Sequence, residues 1–342
     1  MLLGAGAAAY AYWQAMRGNV RAEADGFELL IPRGADFEHV CKELEAGQVL
    51  KDMSSFRQIS KIRKYPDLVK PGRYVLAKGT NNWDLVRKLR AGDQDQMKLR
   101  FRSHWTLEEL ADEIGDQLML DADDLYKKMK DADFLAEYGV NRENVRNLFI
   151  PNTYFVYWTM GAEELFDKLK GSYDQYWNAD RQQKLEALGM TRHEVLTLAS
   201  IVQAETYMPD ERPTVAGLYL NRIRDGIPLQ ADPTVIFAHG DFTLKRVLKR
   251  HLEIDSPYNT YKVRGLPPGP INNPEPSAID AVLNHEEHSY IYMCAKPDFS
   301  GYHNFARTLS QHNRNARAYQ VALGKEQRKK RAAEAAKKKG QG

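Results

Sequence analysis

The chain has 342 residues, a formal net charge of +3, and 43% hydrophobic and 28% charged residues. That composition excludes a disordered or collagen-like chain and leaves room for two or three globular domains. The positive excess is local. Residues 325–342 hold eight of the 49 Lys and Arg but two of the 46 Asp and Glu, so the rest of the chain is slightly acidic, which argues against nucleic acid as the main ligand. Cys41 and Cys294 lie far apart with no metal-ligand spacing; they fit either one disulfide or, as expected here, a reduced pair of small apolar side chains.

In chain order, Met1–Trp13 is apolar and rich in Ala and Gly. It is shorter than the roughly twenty residues a bilayer span needs, and it lacks the charged start and cleavage site of a signal peptide. It reads as the C-terminal part of a membrane-spanning helix, with Tyr10, Tyr12 and Trp13 at the interface, or as an apolar leader. Phe27–Ile31 is a predicted strand, Pro32–Gly34 a turn, and Phe37–Ala46 a helix with apolar Phe37, Val40, Cys41 and Leu44, stopped by Gly47. A helix over Ser55–Lys64 and a turn and strand over Lys70–Leu76 complete a β-α-α-β order. The pattern loosely recurs. Met97–Phe101 is a strand, Thr106–Ile114 a helix opened by the Thr106/Glu109 capping box, and Asp123–Lys130 a further helix. Leu148–Phe155 is a loop or strand that leads into a helix over Ala162–Trp177.

The next segment carries the chemistry. Thr191 and Glu194 form a capping-box pattern that starts a helix. At about 100° per residue, Leu198, Ile201, Val202 and Glu205 share one face. An acid on a core-facing stripe is poorly solvated when ionised, so its pKa rises. A carboxylic acid still protonated near neutral pH can donate a proton to a leaving group. The same spacing also fits a helix-end glutamate turned to water or paired with an arginine. Downstream, a second helix ends near Gly226, a short helix or turn lies near Pro233–Phe237, and another helix starts around Ser277 and Asp280. Tyr290–Ala295 and Gly301–Ala306 are predicted hairpin strands, and Thr308–Tyr319 closes as a helix. His285 and His288 flank Glu286 and Glu287, but a polar helix end explains them better than a metal site.

Five stretches stand in register: Asp210–Pro213, Leu220–Gly226, Leu229–Ile236, Ser256–Tyr261 and Gly265–Pro274. Their order and wording, from about Gly189 to the helix near Tyr319, resemble the family of endolytic murein transglycosylases, membrane-anchored enzymes that cut nascent peptidoglycan strands. The β-α-α-β segment is similar to the LysM-like module of that family. Three positions depart from the family pattern. Gln203 stands where relatives often carry Glu, which leaves Glu205 as the ionisable acid; Ala231 replaces Thr or Ser, and Glu275 replaces Gly.

The resemblance implies an α+β protein: an anchor remnant over 1–22, a LysM-like α/β module over 25–95, a second α/β module and connector over 96–180, a catalytic domain over 185–323, and a basic disordered tail over 324–342. It implies cleavage of the MurNAc-GlcNAc β-1,4 bond to give 1,6-anhydroMurNAc ends, with Glu205 as the catalytic acid and then base. Gln230, Asp232, Tyr258, Asn259, Tyr261, Asn273 and His303 are the expected substrate-binding residues, and His312 also matches a family position. Amides pair with hydroxyl and acetamide groups, and tyrosines stack on sugar faces. The proline-rich loop Gly265–Pro276 is expected to stiffen a cleft wall. No cofactor or metal is expected. The implied partners are peptidoglycan strands and peptidoglycan synthases, and the implied location is the bacterial plasma membrane with the enzyme outside the cytoplasm. Two rival readings remain. One is a water-using muramidase, with Glu211 or Asp232 as second carboxylate; the other is a non-catalytic glycan-binding scaffold.

Overall fold

The computed structural model describes residue 10 and residues 12–339 as a mixed α+β protein in two compact units. The anchor expectation for Met1–Ala9 and Ala11 lies outside the described residues, and no described helix is long and apolar enough to cross a membrane.

Among the described residues, the first unit comprises residue 10 and residues 12–100, 111–125 and 153–165. Strand β1 (Phe27–Ile31) pairs antiparallel with β2 (Gly72–Leu76), Phe27 opposite Leu76 and Ile31 opposite Gly72. Between them lie α1 (Phe37–Ala46) and α2 (Met53–Ile62), whose N-caps Asp36 and Asp52 accept from the backbone N–H of His39 and Ser55. This is the expected β-α-α-β order. The sequence reading assigns no helix after β2, yet α3 (Asn82–Ala91) follows, capped by Asn81 and ended at Gly92 in the left-handed region. Leu29, Ile31, Val40, Cys41, Leu44, Phe56, Tyr74 and Leu85 bury together as one core. Val20 is also fully buried, and Asn19 reaches the buried Asn82 at 2.7 Å, so residues that follow the apolar run are built into this core. A second antiparallel pair, β3 (Met97–Arg100) with β4 (Thr153–Val156), settles the loop-or-strand alternative for Leu148–Phe155.

The second unit comprises, among the described residues, 101–110, 126–152 and 166–339. Its centre is α4 (Arg192–Glu205), opened by the expected capping box: Thr191 N donates to Glu194 Oε2 at 2.7 Å, and Thr191 Oγ1 accepts from Glu194 N at 3.2 Å. Every residue from Val195 to Val202 is buried, so α4 is enclosed on all sides rather than on one stripe. Helices α5 (Arg212–Arg224), α6 (Asp232–His239) and α7 (Pro276–Leu283) pack around it. Gly217 lets α5 approach its neighbour closely: a Cβ there would stand 2.3 Å from the Glu286 carbonyl oxygen. The hairpin of β5 (Tyr292–Ala295) and β6 (His303–Ala306) forms as expected. The closing helix α8 (Leu309–Lys339) packs on this hairpin and runs beyond Tyr319 into the segment expected as a disordered tail. That segment is dense in Ala, Lys, Arg and Glu, all strong helix formers.

Candidate active site

Glu205 is the last residue of α4, and its carboxyl lies in a cleft of about 310 Å³. Burial pushes this carboxyl up to about 7. A hydrogen bond from the Tyr219 hydroxyl to Oε1, 2.7 Å long, opposes the rise, and the charge of Asp232 adds to it. Tyr219 sits on α5 and is 2% exposed, so its phenol is largely shielded from solvent. A Tyr219→Phe variant is therefore expected to move the Glu205 titration further above 7, with a stability loss of about 1 kcal/mol for the lost hydrogen bond. Carboxyl NMR titration and denaturant unfolding measure the two effects; a pKa that falls or stays put would contradict the assigned role of the phenol.

One wall of the cleft is carried by Arg222, also on α5. Its Nε and Nη2 donate to the Pro228 carbonyl at 2.9 and 2.7 Å, Nη1 to the Ile291 carbonyl at 2.6 Å, and Nη2 to Gln230 Oε1 at 2.6 Å. Burial lowers the Arg222 pKa from its ordinary value. Gln230 adopts φ +54°, a left-handed conformation that disfavours side chains, and is held there by Arg222 and by its own N–H on the Thr260 carbonyl. Asp232, which opens α6, accepts a 2.6 Å hydrogen bond from the Tyr261 hydroxyl. Both residues line the cleft.

The opposite wall is β5, with Tyr292, Met293, Cys294 and Ala295, together with His303 from β6. Cys294 is half-buried here as a free thiol, and Cys41 is a free thiol buried in the first unit's core. His303 is fixed by Glu211, whose Oε1 accepts from the His303 backbone N–H at 2.6 Å and whose Oε2 meets Nδ1 at 2.8 Å. Thr206 donates to the same Oε2 at 2.9 Å. Glu211 is only 6% exposed and fully engaged, so it does not line the cleft; with Nδ1 on a carboxylate, Nε2 is the His303 nitrogen left for a ligand. His312 completes the lining. Its ring stacks on Tyr292 at 5.3 Å, its Nδ1 is buried with no partner among the described residues, and burial followed by the charge of Arg222 lowers its pKa.

The structure thus brings Glu205, Gln230, Asp232, Tyr261, His303 and His312 to one cleft. It does not bring Tyr258, Asn259 or Asn273 there. Asn259 is fully buried, donating to the carbonyls of Leu252 and Ile254 and accepting from the N–H of Tyr261. Asn273 is fully buried as well, bonded to the backbone of Arg102, His104 and Phe149. The Tyr258 ring packs 4.8 Å from Phe237. The proline-rich loop is a strap rather than a cleft wall. Ile271 N–H and the Asn272 amide bond to Ser200, Glu275 N–H bonds to Gln203, and the Pro268 carbonyl bonds to His193, all on α4. An irregular loop laid on a buried helix must satisfy its backbone groups, and side chains of that helix supply the partners. Tyr219, Arg222 and the β5 wall are absent from the sequence-based site. The available signal was the α5 spacing Val215, Tyr219, Arg222, which puts a phenol and a cation on a buried face.

The sequence profile of the YceG-like family matches residues 29–318. A protein of Bacillus subtilis (strain 168) named endolytic murein transglycosylase is 28% identical over 308 residues, covering 84% of this chain and 83% of that one. A protein of the same name from Streptococcus pneumoniae D39 is 27% identical over 320 residues, covering 83% of this chain; the chain spans 57% of that relative's length. A crystal structure of a yceG-like protein from Listeria monocytogenes superposes with a TM-score of 0.57 at 30% identity, covering 85% of this chain and 98% of the other.

Proposed function

We propose, from the premise that the chain belongs to the YceG-like family, that it is an endolytic peptidoglycan lytic transglycosylase with Glu205 as its acid and base. The observation that carries this reading is a carboxyl with a pKa of about 7, bonded to a neutral phenol rather than a cation, in a cleft lined with polar side chains. Glu205 donates its proton to the glycosidic oxygen as the MurNAc-GlcNAc β-1,4 bond breaks. The resulting carboxylate then removes the proton from the 6-hydroxyl of the same muramic acid, whose oxygen closes on the anomeric carbon to give a 1,6-anhydro ring. No water is consumed, and the tethered nucleophile supplies the large effective molarity of a held partner. Gln230, Asp232, Tyr261 and His303 offer the donors and acceptors that sugar hydroxyl and acetamide groups require.

We propose the following setting for this activity. The protein works at the cell envelope, next to the synthases that extend the strands. The apolar N-terminal run serves as its anchor, with the catalytic unit outside the cytoplasm. The β-α-α-β segment serves as a LysM-like module that binds the same polymer.

One observation favours a second reading: Asp232 lies in the same cleft as Glu205, as a water-using muramidase would require. Digestion of purified strands with mass readout separates the two. The proposed reaction leaves anhydro ends, lighter by one water than the reducing ends of hydrolysis. Reducing ends throughout would replace the transglycosylase with a hydrolase; strand binding with no soluble product would replace both with a scaffold.

A further inference from the structure

A second groove, of about 420 Å³, lies on the hairpin that walls the cleft and is lined by Tyr290, Phe305, Arg307, Gln311, Arg314 and Asn315. The two sites divide the hairpin residues. Ile291, Met293 and His303 line the cleft; Tyr290 and Phe305, which stands opposite Met293 in the register, line the groove. Tyr290 and Phe305 stack at 5.7 Å, and the Arg307 guanidinium stands 5.9 Å from the Tyr290 ring. Gln311, Arg314 and Asn315 come from one face of α8, three and four residues apart.

The charged groups of this groove are its two arginines. Elsewhere in the same unit Arg181 and Arg212 are bound to Asp280 and Glu275, each at 3.1 Å. Among the described residues, Arg307 and Arg314 have no carboxylate partner: the Arg314 side chain donates to Ser310 Oγ, and Arg307 leans on Tyr290. Both are exposed at the groove mouth. Two guanidinium groups over an aromatic floor, with the Gln311 and Asn315 amides beside them, match a carboxylate on a peptide or sugar substituent, because the guanidinium fork binds carboxylates with two parallel hydrogen bonds.

We propose that Arg307 and Arg314 form a carboxylate-binding subsite for the acidic substituent of muramic acid, seating the strand while Glu205 acts in the neighbouring cleft. The inference rests on peptidoglycan being the substrate. Each disaccharide carries such a carboxylate in one of two forms: on the stem peptide, or on the free lactyl group once the stem is removed.

The test measures affinity rather than turnover, with Glu205→Gln protein so that strands stay intact. Wild-type arginines are compared with Arg307→Ala/Arg314→Ala on native strands, on strands whose carboxylates have been converted to amides, and on strands stripped of stems by an amidase. Native strands are expected to bind the double variant about ten-fold more weakly, the scale of two charge-assisted contacts at an exposed site. Amidated strands should bind both proteins alike, and Arg307→Lys/Arg314→Lys should fall between the two. A loss on native but not on stripped strands assigns the stem carboxylate; because the lactyl carboxyl is amide-bonded while the stem is present, a loss on both shows that the subsite takes the stem carboxylate in native strands and the freed lactyl carboxylate in stripped ones. Unchanged affinity for native strands in the alanine variant, or an equal loss on amidated strands, overturns the subsite. A protein with both arginines that binds none of the strands refutes the substrate instead, and is told apart from failure at the groove.

Discussion

Glu205→Gln is expected to lower peptidoglycan cleavage by about three orders of magnitude or more, because general acid catalysis contributes roughly 10²–10⁴-fold and the same group acts in both half-steps. Glutamine keeps the shape of the side chain, and its carbonyl oxygen can still accept from the Tyr219 hydroxyl, so the fold is expected to survive. The variant also carries a stability signature. The folded carboxyl titrates near 7 against an ordinary value of 4.5, so between those pH values the folded protein holds a proton that the unfolded chain has released. The stability contributed by this acid is fully present below about 4.5, falls as pH rises toward 7, and is flat above. Replacing it removes that loss. The glutamine variant should gain on the order of 1–3 kcal/mol over wild type at pH 8 and nothing at pH 4. Denaturant unfolding at the two pH values measures the difference. A variant that cuts strands at the wild-type rate would end the assignment of Glu205, and equal stability differences at both pH values would show that its carboxyl is not desolvated.

The largest purely structural effect is expected at Arg222→Met, with a stability loss of roughly 3–5 kcal/mol. Arg222 is 5% exposed, and its guanidinium satisfies the carbonyls of Pro228 and Ile291 and the side chain of Gln230. Methionine fills the aliphatic volume but leaves those acceptors buried and unpaired. The same guanidinium ties the segment before α6 to the start of β5, which are the two walls of the cleft. The variant should therefore also release the strained φ of Gln230 and weaken strand binding. Urea unfolding checks the first expectation. A loss below about 1 kcal/mol would mean that water replaces the guanidinium and that the walls are held by other contacts.

The two variants mark how far local sequence reaches. That a helix opens at Thr191 and carries an acid at its far end follows from a capping pattern and apolar spacing, both properties of one short segment. The hairpin strands near Tyr290 and Gly301 and the β-α-α-β order of the first unit follow in the same way. Three described helices, Asn82–Ala91, Ala132–Glu137 and Ala179–Leu188, escaped that reading although Asn81, Asp131 and Asn178 cap them. Ala132–Glu137 is short and Ala179–Leu188 buries only Leu185, so their apolar spacing is weak; Asn82–Ala91, with Leu85, Val86 and Leu89 buried, carried a helical signal that the reading did not use.

The amides tell a different story. Gln230, Asn259 and Asn273 all carry a carboxamide, and each suits a sugar. Burial separates them: Asn259 and Asn273 serve backbone carbonyls in irregular segments, while Gln230 stays at the cleft. Local periodicity carries no information about which buried carbonyl lacks a partner, because that depends on segments far away in the chain.

The sequence by itself determined the mixed α+β class, the central helix and the position of its terminal glutamate, because capping and side-chain spacing act within a few residues. Only the tertiary structure decided what that glutamate is. Burial in the cleft, the Tyr219 hydroxyl on α5 and the charge of Asp232 at the start of α6 set its pKa, and all of these depend on segments outside α4. Desolvation is a sum over everything that displaces water from a group, and that sum exists only once the chain has folded.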